Sequence, residues 1–517
     1  MTTVIHSSNQ KYEIIVILSI IISISLFTRL NYLPLEIPFK TDAITYFSFA
    51  FEVSKNQQFP EGILKTNDGW PLFLSPLFSL IGHYDMMTLI NAQRITSIII
   101  SSITVIPIYF LCKKIVSSRY ALVGAGLFGL NHKLMENSIL GLTESLSILL
   151  ITLMLLFSFS KTPKFYTLSF VFLSLASIVR YESLLFLIPL SIIFFLKFHN
   201  NKKSYLKFSL FILIFILILS PIAALRLESN GMDGLTSHAF GGISNPAKYA
   251  SVSINNADES NFEKNNFIQN AVVNTLKFLG LVSIPLFIFF LIPGIYNFIK
   301  TRNQNIIYLL IFSAIMILPA MYAYGREIQD TRFLLVLFPI FCCISVYGLD
   351  LTKKLEKFRY TVLILFIIIG ISILFFDYDQ PNHIYNNEIY LVSQNLIKTA
   401  DGVNDYPGNS YIKIATLEKY WPNSLPLNDD KKISFFINKI PSKNYSTLEE
   451  YILDSKDSGL SHIVLMEKNR SAFLNELFFN YEKYPYLEKT FDSKNLNFEN
   501  HILILKINYS DFERTQI

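Results

Sequence analysis

The stretch Lys40-Thr41-Asp42-Ala43-Ile44-Thr45-Tyr46 sets a carboxylate at the start of an amphipathic segment. Ile44, Phe47 and Phe51 stand at i, i+3 and i+7 with Ala43 and Ala50 beside them, so one face is apolar at helical spacing. Such a helix lies in the headgroup layer of a bilayer. Asp42 at its N-terminus can cap the helix by accepting backbone N–H groups, or serve as a base. Further ionisable residues interrupt apolar surroundings: Glu144 in Gly141-Leu142-Thr143-Glu144-Ser145, the triplet Arg180-Tyr181-Glu182, and Arg326, Glu327, Asp330 and Arg332 between Tyr324 and Phe333. A carboxylate near a membrane surface can take the proton of an acceptor hydroxyl or amine. Nearby arginines can hold a leaving phosphate, whose negative charge grows in the transition state. A second carboxylate can hold the acceptor, a sugar hydroxyl or a divalent cation. That chemistry is the transfer of a group from a lipid phosphate.

The expected roles follow residue type. Asp42 and Glu144 are the catalytic candidates, and Arg180, Arg332 and Arg326 the phosphate-binding ones. Tyr46, Tyr181, Glu182 and Asp330 are candidates for positioning substrate. Each has a structural alternative: Glu144 as a helix cap, Arg180 and Glu182 as a mutual pair or as headgroup contacts, and Arg332 as an interfacial anchor partnered by Asp330. Arg94 reads equally as an anchor or a cavity residue, whereas Lys55, Lys65 and Asp68 read as solvated loop charges.

The elements that must position these residues are membrane helices. Hydrophobic residues make up 51% of the 517 and charged residues only 16%, well below the roughly one quarter charged of soluble domains. Apolar runs of spanning length lie at about 13–33, 88–111, 120–137, 142–160, 165–180, 183–198, 206–226, 271–299, 305–322, 332–350 and 360–377, which predicts about eleven helices. The first has no small-residue cleavage site after it and reads as a retained helix. Alternate connections carry Lys113, Lys114 and Arg119; Lys161 and Lys164; Lys197, Lys202, Lys203 and Lys207; Lys300 and Arg302; and Lys353, Lys354, Lys357 and Arg359. Against these stand only Asp350 and Glu356, so the rule that positive loops stay inside makes them cytoplasmic. The N-terminus is then inside, and the long first loop, about 34–87, is outside with the C-terminal segment. All the candidate residues fall on that outer side.

The net charge of +5 divides into +9 before Tyr378 and −4 from Tyr378 onward, as for a membrane domain over 1–377 and a soluble domain over 378–517. No basic run is interleaved with aromatics, which argues against nucleic acid as a partner. In the tail, 385–400 and 446–458 read as helices. Tyr411–Ala415, Ile463–Met466 and His501–Ile507 read as strands, giving a small α/β domain. The three cysteines, Cys112, Cys342 and Cys343, lie in or beside apolar runs and suggest no disulfide framework or metal cluster.

The order and common sidedness of these features resemble the GT-C-fold glycosyltransferases, the class that includes protein O-mannosyltransferases and the lipid A aminoarabinose transferase. The likeness covers about residues 13–350. It is carried by Arg29, Asp42-Ala43-x-x-Tyr46, Gly69-Trp70-Pro71-Leu72, Thr143-Glu144, Arg180-Tyr181-Glu182, and Arg332-Phe333-Leu334-Leu335 before Pro339. The resemblance implies a GT-C membrane domain, a polyprenyl-phosphate sugar donor, inversion at the anomeric carbon and Asp42 as the first-loop catalytic base or acceptor-binding group. The acceptor, a lipid, glycan or protein, stays open, as does any metal. Protein mannosyltransferases have an Asp-Glu pair where Asp42 is followed by Ala43. Oligosaccharyltransferases have a Trp-Trp-Asp signature that the tail, with Trp421 alone, lacks, which disfavours protein N-glycosylation. The alternative from another class is a lipid or sugar transporter or flippase, for which repeated halves and midplane charges are expected. The sequence shows neither.

Overall fold

The computed structural model describes residues 2–39, 42–60, 67–82, 85–199, 203–235, 237, 267–301, 303–349, 358–378, 383–419, 437–443, 445–467, 469 and 471–515. Lys40, Thr41, Lys65 and Trp421 fall outside the described residues. By its contacts the chain divides into two units. The first takes Met1–Leu33, Phe49–Leu80 and Ala92–Gln380; the second takes Pro34–Ser48, Ile81–Asn91 and Pro381–Ile517.

The first unit is helical. It contains α1 (Thr2–Asn31), α3 (Gly69–Ile81), α5 (Val105–Cys112), α6 (Ser118–Gly129), α7 (His132–Ile139), α8 (Glu144–Ser158), α9 (Pro163–Val179), α10 (Leu187–Phe198) and α11 (Ser204–Asn230). Helices α2 (Asp42–Asn56) and α4 (Met86–Ile103) begin in the second unit and end in the first. Further helices follow at Phe267–Ser283, Ile288–Thr301, Gln304–Met316, Leu318–Gly325, Phe338–Leu349 and Phe358–Tyr378. Seven stretches among the described residues are long and apolar enough to cross a membrane, which makes this a multi-pass membrane protein. Counting the pair Phe267–Ser283 and Ile288–Thr301, bent by 111°, as one span gives eight.

Among the described residues the expected eleven is not confirmed, for local reasons. The run 120–137 is cut between α6 and α7, where Asn131 caps the second helix by accepting from Lys133 N at 3.0 Å and Leu134 N at 3.3 Å. Helices α8 and α9 are apolar but short. Proline accounts for two of the breaks inside longer spans. Pro107 has no N–H for the carbonyl of Ile103, where α4 ends, and Pro319 sits just after the break that follows Met316.

Buried polar groups hold the helix ends together. Arg29, in the last turn of α1, donates from Nη1 to Gly129 O at 2.8 Å and from Nε to Ser138 Oγ at 3.1 Å, joining α1 to α6 and α7. Helices Ile288–Thr301 and Phe338–Leu349 cross at Gly294 and Gly348, so closely that a methyl on Gly294 would collide with Ile344 O.

The second unit contains a five-stranded sheet of β1 (Gly402–Asn404), β2 (Asn438–Ile440), β3 (His462–Met466), β4 (Leu487–Asp492) and β5 (Ile502–Ile507), in the order β2-β1-β3-β5-β4. The β1 strand pairs in parallel with β2 and β3, whereas β5 is antiparallel to β3 and β4. Helices His383–Thr399 and Leu448–Ser455 stand where the pattern predicts them. Tyr411–Ala415 does not form the expected strand: it lies inside the helix Asn409–Lys419. Its apolar residues at 411, 412, 414 and 415 suit one face of a helix as well as a buried strand, and Thr416-Leu417-Glu418-Lys419 prolongs the run to helical length.

Candidate active site

Three chain reversals in the first unit bring charged side chains to one cleft. The first is at Gly141, whose φ of +69° is open to glycine at little cost. The chain turns there and starts α8 at Glu144, which is 6% exposed. The second is at Arg180, whose extended backbone (φ −145°, ψ 111°) ends α9 and begins the 3-10 turn Tyr181–Phe186. The third is the 3-10 turn Thr331–Leu337, capped by Asp330. One oxygen of Asp330 accepts from Arg332 N at 2.8 Å and the other from Arg332 Nε at 2.6 Å, so a single carboxylate fixes both the turn and the guanidinium.

Arg180 lies between two carboxylates. Its Nη1 donates to Glu144 Oε1 at 2.7 Å and its Nη2 to Glu182 Oε1 at 3.2 Å. The remaining oxygens, Glu144 Oε2 and Glu182 Oε2, are buried and have no hydrogen-bond partner among the described residues. Glu144, Arg180, Glu182 and Arg332 all line a cleft with about 440 Å³ of empty space. Its other walls are largely apolar and include Ile148, Ile151, Phe186, Met316, Phe333 and Val336. The arrangement offers two guanidinium groups to an anion, two spare carboxylate oxygens to hydroxyl or amine donors, and an apolar lining to a hydrocarbon chain.

The other candidates are not among the residues that line this cleft. Asp42 is the first residue of α2, partly buried, with its carboxylate in the first turn where the helix dipole favours negative charge. Tyr46 is buried on the same helix. Tyr181 opens the turn after Arg180, and its backbone N–H donates to Asn67 Oδ1 at 3.4 Å. Arg326 is not among the cleft residues; its guanidinium stacks over the Tyr322 ring at 5.6 Å. Arg94 is buried in α4.

Residues 73–224 match the family model described as dolichyl-phosphate-mannose-protein mannosyltransferase. No curated protein sequence matches the chain. Among solved structures, the archaeal oligosaccharyltransferase AglB from Archaeoglobus fulgidus, in complex with an inhibitory peptide and a dolichol-phosphate, superimposes with a TM-score of 0.55. The identity is 14%, over 88% of this chain and 69% of that one. The Archaeoglobus fulgidus oligosaccharyltransferase in complex with Zn and sulfate gives a TM-score of 0.54 at 13% identity, over 86% and 67%. ArnT from Cupriavidus metallidurans bound to undecaprenyl phosphate gives 0.51 at 7% identity, over 94% of this chain and 97% of that one. The fold is GT-C.

Sequence reasoning missed the apolar wall of this GT-C cleft and the burial of Asp68. The apolar wall is partly legible in hindsight: Ser147, Ile148 and Ile151 follow Glu144 at i+3, i+4 and i+7, one stripe of α8. Asp68 is a correction. It is not a solvated loop charge but is buried, with Oδ1 2.8 Å from Arg226 Nη1 on α11. Its sequence context of Asn, Gly and polar neighbours resembles an exposed turn, and its partner lies 158 positions away. As for a divalent cation, no three His, Cys, Asp or Glu side chains converge as ligands among the described residues.

Proposed function

We propose that this GT-C protein is a membrane glycosyltransferase that moves a sugar from a polyprenyl-phosphate donor to a lipid, glycan or protein acceptor on the outer face of the membrane. The observation that carries the reading is the cleft in which Arg180 and Arg332 stand beside Glu144 and an apolar wall. Guanidinium forks match phosphate oxygens, and the apolar side suits the first isoprene units of the lipid. The solved structures with dolichol-phosphate and with undecaprenyl phosphate support the same ligand class.

In the proposed reaction, Asp42 takes the proton of the acceptor nucleophile as its lone pair forms the new bond to the anomeric carbon. The bond from that carbon to the phosphate oxygen breaks on the opposite face, which inverts the centre. The electron pair leaves with polyprenyl phosphate, and Arg180 and Arg332 stabilise the added charge. Glu144 and Glu182 orient the substrates through their spare oxygens, with Tyr46, Tyr181 and Asp330 as supporting groups and Arg326 as a further cation for the phosphate. The basic loops support an N-terminus in the cytoplasm and a C-terminal domain outside.

The reading is tested by binding of undecaprenyl phosphate to the full chain in bilayer discs. Arg180→Ala and Arg332→Ala should each weaken it by roughly ten- to a hundredfold, as loss of a charge-assisted hydrogen bond of about 1.5–3 kcal/mol requires. Unchanged affinity in both variants would remove the cleft as the phosphate site.

A further inference from the structure

The segment Asn67-Asp68-Gly69-Trp70 touches both limbs of the chain that supply the cleft. On one side it meets the end of α9. Asn67 Oδ1 accepts from Tyr181 N at 3.4 Å, and Gly69 packs so tightly that a methyl there would lie 2.7 Å from Val179 N. These are the two neighbours of Arg180. On the other side, Trp70, fully buried, donates from Nε1 to Gly141 O at 3.0 Å. Gln93 Nε2 donates to the same carbonyl at 2.7 Å, three residues before Glu144.

Asp68 lies at the centre of this segment. Its backbone carbonyl accepts from Leu72 N at 3.0 Å, starting α3, and its side chain bonds Arg226 at 2.8 Å. Both side chains are almost wholly buried, at 6% and 3% exposure. Gly234 closes over the guanidinium, where a methyl would collide with Arg226 Nε. A buried ion pair gains little stability over two well-packed apolar residues, because both charges lose their water. What it supplies is a fixed direction. Asn67, at φ +114°, is held in a backbone region that L-residues seldom adopt, as a segment pinned from outside would be.

We propose that Asp68 and Arg226 are positioning residues: their ion pair fixes Asn67–Trp70, and that segment sets the backbone from which Arg180 and Glu144 enter the cleft. Neither residue touches substrate. The pair acts through Asn67 and Gly69 on Val179 and Tyr181, and through Trp70 on Gly141.

The test has two readouts, one of which is independent of the lipid. The first is amide hydrogen exchange across Val179–Ser183 in the full chain, comparing wild type with Asp68→Asn and Asn67→Gly. The second variant removes the side-chain acceptor of Tyr181 N and leaves no buried charge unpaired, so it is informative if Asp68→Asn does not fold. Exchange should rise at least about threefold in each, and unchanged exchange in Asn67→Gly overturns the brace.

The second readout is undecaprenyl phosphate affinity, which rests on the proposed function. Asn67→Gly should lose at least about fivefold in the wild-type background and less than about twofold beside Arg180→Ala, since a residue acting through Arg180 has nothing left to move. Equal losses in both backgrounds would show a merely structural role and overturn the inference. If Arg180→Ala itself leaves affinity unchanged, the phosphate reading fails, and exchange alone decides the brace.

Discussion

Arg180 reaches Glu144, 36 positions earlier in the chain, with Nη1 2.7 Å from Oε1, so a carboxylate aligns the guanidinium in the cleft. A group already oriented loses less rotamer freedom when it engages a phosphate. Glu144→Gln keeps an oxygen that accepts from Arg180 but removes the charge. Sugar transfer should fall by about tenfold or less, whereas Glu144→Ala, which removes the shorter of the two carboxylate contacts to Arg180, should fall further. Steady-state transfer rates on equal amounts of folded protein separate the two.

The forked geometry gives Arg180 and Arg332 a second signature. Lysine at either position retains the charge but cannot present two parallel N–H groups. Arg180→Lys and Arg332→Lys should therefore recover only part of the donor affinity that the alanine variants lose. Full recovery would mean that charge alone holds the lipid phosphate.

Much of this site is legible in the sequence, because it is made of charges where charges are costly. Glu144, Arg180, Glu182 and Arg332 stand out from apolar runs, and three separate reversals of the chain bear them. The pairings among them are less accessible. Arg180 has Glu182 two residues away as an obvious partner, and nothing local points to Glu144 as the shorter contact. Asp68 escapes a sequence reading because its surroundings are those of a turn, and its burial is conferred by Arg226 from a distant helix. The helix Asn409–Lys419 escapes it because a five-residue apolar run does not carry a period long enough to distinguish 2 from 3.6.

Burial raises the Asp68 carboxyl to a pKa of about 6, with Arg226 pulling the other way. Between the unfolded value near 3.9 and the folded one, the folded chain holds the proton more tightly than the unfolded chain. Stability from this group is therefore fully present below about pH 4 and is lost as pH rises through about 6. Asp68→Asn should abolish that slope. Thermal unfolding of detergent-solubilised wild type and variant between pH 4 and 7 checks it, and parallel curves would contradict it.

The orientation rests on basic loops and has its own test. Cysteine placed at Ser461, in the sheet domain, should react with an impermeant thiol reagent on intact cells, and cysteine at Ser204, at the start of α11, should not. Ser260, outside the described residues, should react as Ser461 does. Labelling at Ser204 without permeabilisation would reverse the topology and remove the outer-face site.

Asp42 has two available roles with opposite sensitivities. As a helix cap it needs only a short acceptor, which asparagine supplies. As a base it needs a carboxylate, which asparagine lacks. Asp42→Asn should insert, fold and bind undecaprenyl phosphate like wild type, yet transfer sugar at least about a hundredfold more slowly. Near-equal rates would leave Asp42 as a cap alone.

The most direct measurement follows both halves of a polyprenyl-phosphate sugar, labelled in the sugar ring, in vesicles containing the full chain and a membrane extract as acceptor source. Transfer predicts that label moves to a new acceptor while free polyprenyl phosphate accumulates in equal amount, and that both stop in Arg180→Ala. An intact donor that crosses the bilayer without losing its sugar, or that stays unchanged, would contradict a glycosyltransferase, and the first of these outcomes would make the protein a flippase.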